Sequence, residues 1–270
     1  MKVVKRNGKT NEMELDQITD RIKRISDVKS YGPKLDIDPI YISKEVCSLL
    51  YDGITTSELD EFTASISANM ILKNPDYEIL ASRIIINNHI KNTSGVFSES
   101  IILLHSHGLI SDTILDIVKD NKEFLDGIIV EDRDYSLSYF GFKTLEKSYL
   151  LKTDKVIERP QGLFLRVALG IHFDNLEKVK ETYDDISLKY YTHATPTLFS
   201  ACTRYPQMSS CFLIGTEDSV EGIFKTISDV GLISKWAGGI GVHISNIRAN
   251  DSYISSTGGK SSGIMPMLKV

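Results

Sequence analysis

The chain has 270 residues, 41% of them hydrophobic and 25% charged, with a formal net charge of −5. That balance suits a globular protein of one large or two smaller domains. It excludes a dedicated nucleic-acid binder, which needs a basic stripe against phosphates, but leaves nucleotide binding open, since a few placed cations suffice. The start, Met1-Lys2-Val3-Val4-Lys5-Arg6, turns polar at once and reads as no signal peptide, and no apolar run approaches the roughly 18 to 20 residues that cross a bilayer. Three cysteines at scattered spacing make no disulfide framework. The expectation is a reducing, cytoplasmic setting without membrane or nucleic-acid partners, where a special cysteine is catalytic more often than structural.

In chain order, Val3-Val4-Lys5-Arg6 before Asn7-Gly8 predicts a hairpin with a tight two-residue turn. Ile18, Ile22 and Ile25 share one face of a helix beginning near Asp16. Asp38-Pro39, an N-cap followed by proline at the first helical position, opens a second helix. Its apolar face is Ile42, Val46, Leu49 and Leu50, and Gly53 closes it. Thr55-Thr56-Ser57-Glu58 is a capping box for a third helix carrying Leu59, Phe62 and Ile66. Asn74-Pro75 opens a fourth, through Ile79, Leu80 and Ile84 towards Lys91. Hairpin and helices make a compact unit, residues 1–92, bounded by the polar stretch Asn92-Thr93-Ser94-Gly95. Residues 93–200 read as mainly helical, with loops at Asp132-Arg133-Asp134 and Glu158-Arg159-Pro160. Motifs crowd together after Tyr190, and the run Met265-Pro266-Met267-Leu268-Lys269-Val270 is apolar with no cap or polar tail, as a cut end would be.

Taken singly, most candidate residues have bland readings. Cys211 before Phe-Leu-Ile is most often a small buried hydrophobe, and Lys5-Arg6 a solvated edge strand. Gly238-Gly239-x-Gly241 supplies turn geometry between a helix and a strand. His193 has no second ligand at metal spacing, so it reads as a packed histidine and no metal site is expected. Trp236, the only tryptophan, reads as core. Cys47, inside an amphipathic helix, and Cys202 read as structural.

Seven segments in one order change that weighing. They are Val4-Lys5-Arg6-Asn7-Gly8, Tyr139-Phe140-Gly141-Phe142-Lys143-Thr144-Leu145-Glu146, Glu158-Arg159-Pro160-Gln161, Thr192-His193-Ala194-Thr195-Pro196-Thr197-Leu198-Phe199, Gln207-Met208-Ser209-Ser210-Cys211-Phe212-Leu213, Ala237-Gly238-Gly239-Ile240-Gly241-Val242 and Ser245-Asn246-Ile247-Arg248-Ala249. Together they resemble the large subunit of class I ribonucleoside-diphosphate reductase, of the eukaryotic and poxviral type. The resemblance implies an α/β fold, mainly helical in this portion: an ATP cone over residues 1–92, a helical region over 93–200, and from 201 the first part of a ten-stranded α/β barrel. It also implies reduction of ribonucleoside diphosphates by radical chemistry with a redox dithiol. ATP, dATP and other dNTPs, with Mg, would be allosteric effectors. The radical cofactor would sit on a separate small subunit, thioredoxin or glutaredoxin would be the reductant, and the large subunit would be a homodimer.

By the same resemblance Cys211 is one half of the dithiol, and Thr195 and Ser210 contact the substrate with it. Asp218, Ser219, Val220, Lys235, Arg248, Ser255 and Ser256 form the specificity-effector site. Lys5, Arg6, the run Asn11, Glu12, Met13, Glu14, Leu15, Asp16 and Gln17, then Thr56, Asp60 and Lys91 form the cone's nucleotide site. Several positions depart from the pattern: Gln17 for lysine, Thr195 for serine, Ser200 for asparagine, Cys202 and Asp251 for glycine, and Ser255-Ser256 for Ala-Gly. The radical-bearing cysteine, the partner of Cys211 and the tyrosines of the radical relay lie beyond residue 270 in complete members. With Cys47 and Cys202 set aside, one cysteine stands where three are required, so the isolated chain is expected to be incomplete and inactive. The alternative is a non-catalytic remnant that binds nucleotides or intact reductase subunits.

Overall fold

The structure, a computed structural model, describes residues 2–27 and 31–269; Met1 and Val270, which end the two terminal runs, lie outside the described residues. The chain divides into two compact units, Met1–Tyr191 and Thr192–Val270.

The first unit opens with strands β1 (Lys2–Val4) and β2 (Thr10–Glu12), paired antiparallel with Val4 opposite Thr10. The hairpin is there, but its turn is wider than two residues. Gly8 N–H donates to Lys5 C=O (2.9 Å), Lys5 N–H donates to Lys9 C=O (2.8 Å), and only Gly8 is left-handed (φ +78°), the pattern of a three-residue loop ending in glycine. Helix α1 (Leu15–Ser26) buries Ile18, Ile22 and Ile25 as the spacing predicts. Helix α2 (Pro39–Ser48) starts where Asp38 Oδ1 accepts from the N–H groups of Ile40 and Tyr41. It ends before Gly53, at Leu49, which is 54% exposed. Gly53 (φ +85°) turns the chain into a further strand, β3 (Ile54–Thr55), parallel to β1. The sheet order β2-β1-β3 therefore exceeds the expected hairpin; two residues are too few to show a strand period. Helix α3 (Thr56–Asn69) begins with the full capping box of Thr55 and Glu58. Helix α4 (Asp76–Asn92) buries Leu80, Ala81, Ile84, Ile85 and Ile86 on several faces, so it is the central helix of this core.

Helices α5 (Phe97–Ser106), α6 (Asp112–Asp120), α7 (Lys122–Gly127), α8 (Tyr139–Ser148), α9 (Pro160–His172) and α10 (Leu176–Ser187) complete the unit. The loop expected at Asp132-Arg133-Asp134 is a 3₁₀ helix, Glu131–Ser136, that buries Asp134. Helix α9 is buried throughout its first eleven residues, Pro160 to Gly170, and its polar members are satisfied internally. Arg166 Nε lies 2.6 Å from Glu158 Oε1, with both side chains out of solvent. Gln161 Nε2 donates to Asp134 Oδ1 (3.0 Å), while its Oε1 accepts from Tyr183 (2.9 Å) and Ser187 (2.6 Å). His89 Nε2 lies 3.0 Å from Glu158 C=O.

The second unit has helix α11 (Thr195–Ser200), strand β4 (Cys211–Gly215), helix α12 (Val220–Lys235) and strand β5 (Gly239–His243). The two strands are parallel, Cys211 opposite Gly239 through Gly215 opposite His243, which makes a βαβ unit. Strands β6 (Tyr253–Ile254) and β7 (Gly259–Lys260) form a hairpin, and α13 (Met265–Leu268) follows. No helix among the described residues is long and apolar enough to cross a membrane.

Burial acts in opposite directions on two titratable groups of the first unit. It pushes the Asp134 carboxyl up to about 7 from 3.8, outweighing the Gln161 hydrogen bond. It pushes the His89 imidazole down to about 4 from 6.5, outweighing its bond to the Glu158 carbonyl. Asp134 holds its proton in the fold when the unfolded chain has lost it, so its contribution is present at low pH and is lost as pH rises through about 7. His89 stays neutral in the fold when the unfolded chain is protonated, so its contribution is present above pH 6.5 and is lost as pH falls towards 4. Between those values the two slopes, each about 1.4 kcal/mol per pH unit, offset each other. Asp134→Asn is expected to leave the His89 slope uncovered, so stability from urea denaturation should climb with pH between 4.5 and 6.5 more steeply than in the wild type. Equal slopes would refute the assignment.

Candidate functional site

Between the hairpin and α1 lies a cavity of about 340 Å³. Of the residues expected at the cone's nucleotide site, Lys5, Asn11, Glu12, Met13, Gln17 and Thr56 line it, over a floor of Val3, Ile18 and Leu59. Arg21 and Arg24 line it as well, and neither was singled out in the sequence. The signal was available: 17, 21 and 24 recur at i, i+4 and i+7, one face of a helix. Glu14, Leu15 and Asp16 are exposed around the start of α1 and do not line the cavity.

Arg6, Asp60 and Lys91 form an adjacent charge cluster. Asp60, on α3, is buried, with Arg21 Nη2 2.7 Å from its carboxylate and Arg6 Nη2 3.5 Å away. Arg6 reaches back to α4, donating to Asn92 Oδ1 (2.8 Å) and to Asn88 Oδ1. Burial raises the Asp60 carboxyl despite the pull of Arg21, Lys91 and Arg6. Burial likewise lowers Arg21 and Lys91. Desolvation thus outweighs attraction on both sides, and one carboxylate is shared among several cations.

In the second unit Thr195 is the first residue of α11, which is tied to the segment before β4 where Thr197 Oγ1 donates to Met208 C=O (3.1 Å). Cys211 begins β4 with an exposed side chain, 3.7 Å from Ser210 Oγ. Cys202 is buried and Cys47 half-buried. A second cavity, about 500 Å³, is lined by Asp218, Ser219, Val220, Arg248 and Ser256. Arg248 Nε donates to Asp218 Oδ2 at 2.7 Å, and this bond holds the Asp218 carboxyl below its usual range. Ser219 caps α12, accepting from Gly222 N–H at 3.0 Å. Ser255 and Lys235 do not line the cavity. Lys235 stands at the opposite end of the 16-residue α12, roughly 22 Å from Val220 at 1.5 Å per residue. Lys260 does line it, and its ammonium is 3.9 Å from Asp251. The extra carboxylate at 251 thus has a cation beside it.

The glycine run serves close packing. A Cβ on Gly238 would meet Ile233 and the Phe212 ring at 2.8 Å, and one on Gly241 would meet Leu213 at 2.8 Å. The left-handed residue of this turn is Ala237 (φ +60°). Trp236 is 40% exposed, packing beside Tyr205 with the Lys235 ammonium 5.4 Å from its ring, so it is not core. Among the described residues no group of three His, Cys, Asp or Glu could hold a metal ion.

A cation-lined cavity on a small sheet-and-helix module, followed by helices and then a βαβ unit with its own charged cavity, defines a multi-part α/β protein with two charged cavities. Three family models match in the same order: the ATP cone domain at residues 1–91, the all-alpha domain of ribonucleotide reductase at 135–206, and its barrel domain at 209–270. Alignments over the whole of this chain join it to the ribonucleoside-diphosphate reductase large chain of Schizosaccharomyces pombe (48% identical) and to the large subunits of Arabidopsis thaliana (47%) and Variola virus (48%). Each covers 100% of this chain and 34%, 34% and 36% of those relatives, so the chain spans about a third of their length. The chain belongs to the ribonucleotide reductase large-subunit family.

The turn from α12 into β5 gives a paired test. Ala237→Gly should relieve the left-handed backbone and stabilise by about 1 kcal/mol. Gly238→Ala should press on Ile233 and Phe212 and destabilise by about 1–3 kcal/mol. Trp236, the sole tryptophan, reports directly on this turn, so fluorescence-detected urea unfolding reads both; shifts of the same sign would contradict the geometry.

Proposed function

We propose that this chain carries two nucleotide-effector sites and one half of the reducing dithiol of a ribonucleoside-diphosphate reductase, which converts ribonucleoside diphosphates to deoxyribonucleoside diphosphates by radical chemistry. The parts we assign are an ATP cone over 1–92, a helical region over 93–200 and the start of the barrel over 201–270. The observation that carries the reading is the cone cavity, where Lys5, Arg21 and Arg24 face a single lining carboxylate, Glu12. Such an excess of cations suits an anion of the triphosphate kind. Lys5, Thr56 and Gln17 would hold ATP or dATP, and Glu12 would face the Mg²⁺ that accompanies the phosphates.

The second cavity is the specificity-effector site in this reading. Asp218 would accept from the ribose hydroxyl, with Arg248 and Lys260 towards the phosphates. Lys235, roughly 22 Å from Val220 along the helix, would serve the same site on a second copy, in keeping with a homodimer. Cys211 would supply one thiol at the substrate sugar, with Thr195 and Ser210 holding substrate oxygens. Loss of the C2′ hydroxyl as water takes two electrons and two protons. They come from two thiols that close to a disulfide, which thioredoxin or glutaredoxin would reopen. The radical would come from a small-subunit partner, in the cytoplasm. The chain's own inventory, one exposed thiol beside a half-buried and a buried one, supports no turnover by these 270 residues alone.

Titration calorimetry on the chain is expected to show saturable ATP and dATP binding, and no heat at millimolar nucleotide would sink the reading. In alkylation followed by mass spectrometry, Cys211 is expected to react at least about tenfold faster than buried Cys202. Equal rates would remove Cys211 from the dithiol.

A further inference from the structure

The cone cavity holds more positive charge than the protein neutralises. Arg21 is spoken for, because the buried Asp60 carboxylate grips its guanidinium at 2.7 Å. Arg24, one turn further along α1, is exposed, lines the cavity and has no carboxylate partner among the described residues. Its charge is close enough to Arg21 and Lys91 to disfavour theirs. A side chain under that repulsion gains when an anion arrives. Gln17 offers an amide where the resemblance leads one to expect lysine, so the first position of this face can donate a hydrogen bond but supplies no charge. Gln17, Arg21 and Arg24 rise along the same wall over roughly 10 Å, opposite Lys5 on the hairpin.

We propose that Arg24 supplies the phosphate-binding charge that Gln17 lacks, so that a nucleoside triphosphate lies with its phosphates along α1, gripped by Arg24 and by Lys5 across the cavity. Arg21 is the positioning residue of this arrangement: Asp60 fixes its guanidinium, which keeps the wall's spacing. A guanidinium binds phosphate oxygens in pairs, so moving the charge from 17 to 24 changes where on the wall the phosphates are held. The assignment rests on the reading of this cavity as the cone's nucleotide site.

The test is calorimetric titration of the full 270-residue chain with ATP and with adenosine, the second ligand lacking phosphates. Arg24→Ala is expected to weaken ATP binding at least about tenfold while adenosine binding changes less than about twofold, with unchanged thermal unfolding. Adding Gln17→Lys to Arg24→Ala is expected to restore most of the ATP affinity. If the wild type binds ATP and Arg24→Ala binds it equally well, or if both ligands weaken together, the role of Arg24 is overturned and the cone reading stands. Failure of Gln17→Lys to restore binding overturns the exchange of charge between the two positions. If the wild type binds no nucleotide at millimolar concentration, the cone reading falls and this inference with it.

Discussion

The first unit turns on the segment Glu158-Arg159-Pro160-Gln161. Glu158 and Arg166 form an ion pair with no solvent around it, an arrangement whose desolvation consumes most of what the attraction returns. Its value lies in direction. The Glu158 carboxylate accepts from Arg166 Nε (2.6 Å), Arg166 Nη2 (3.1 Å) and Leu151 N–H (3.0 Å), and its carbonyl meets His89. Arg159 donates to the carbonyls of Ile90 and Thr93 (2.9 Å each) and pairs with Glu131. These bonds fix the end of α4, and from α4 Asn88 and Asn92 hold Arg6 beside Asp60. The geometry of the cationic cluster next to the cone cavity is thus braced by the segment that leads into α9, itself anchored through the buried Glu158–Arg166 pair. Removing either partner would strand a buried charge, at about 3–5 kcal/mol.

The cluster itself is held at a cost in stability. Sharing one carboxylate among several cations, with burial working against the charged forms of Asp60, Arg21 and Lys91, leaves repulsion between neighbouring cations. A protein built for stability alone would place further acids here; Asp16 and Glu14 are close in sequence but exposed and outside the cavity.

What the sequence made legible was local. Asp38-Pro39, the box from Thr55 to Glu58 and the Ile18, Ile22, Ile25 stripe each specify their structure within four to eight residues, and all three are present. Strand β3 escaped notice because its pairing with β1 is a tertiary event spanning some fifty positions, Val3 with Ile54. The 3₁₀ turn that buries Asp134 looks like a polar loop until Gln161, far along the chain, supplies its partner. At the site, the expected residues Lys5, Asn11 and Gln17 line the cavity. Arg21 and Arg24 share the helix face of Gln17, and only the fold of the hairpin over α1 gives them a cavity to face. Trp236 shows the converse: a lone tryptophan suggests core, and this one lies on the surface.

In the second unit the departures from the family pattern act through strain and charge. Cys202 (φ +67°) and Asp251 (φ +63°) are left-handed where the resemblance leads one to expect glycine, and Ala237 (φ +60°) joins them. The backbone therefore keeps the conformation that glycine allows without cost, and the substituted side chains carry a penalty of about 1–2 kcal/mol each, less for aspartate, whose short polar side chain tolerates this region best. Beyond strain, the departure at 251 acts on the charge beside the Asp218–Arg248 cavity, which Lys260 lines. Asp251 adds a negative group and Lys260, 3.9 Å away, a positive one. Both side chains are about 70% exposed, where such a pair contributes little to folding but leaves the net charge of the loop unchanged. The local field, unlike the local strain, is therefore close to that of a loop with neither residue.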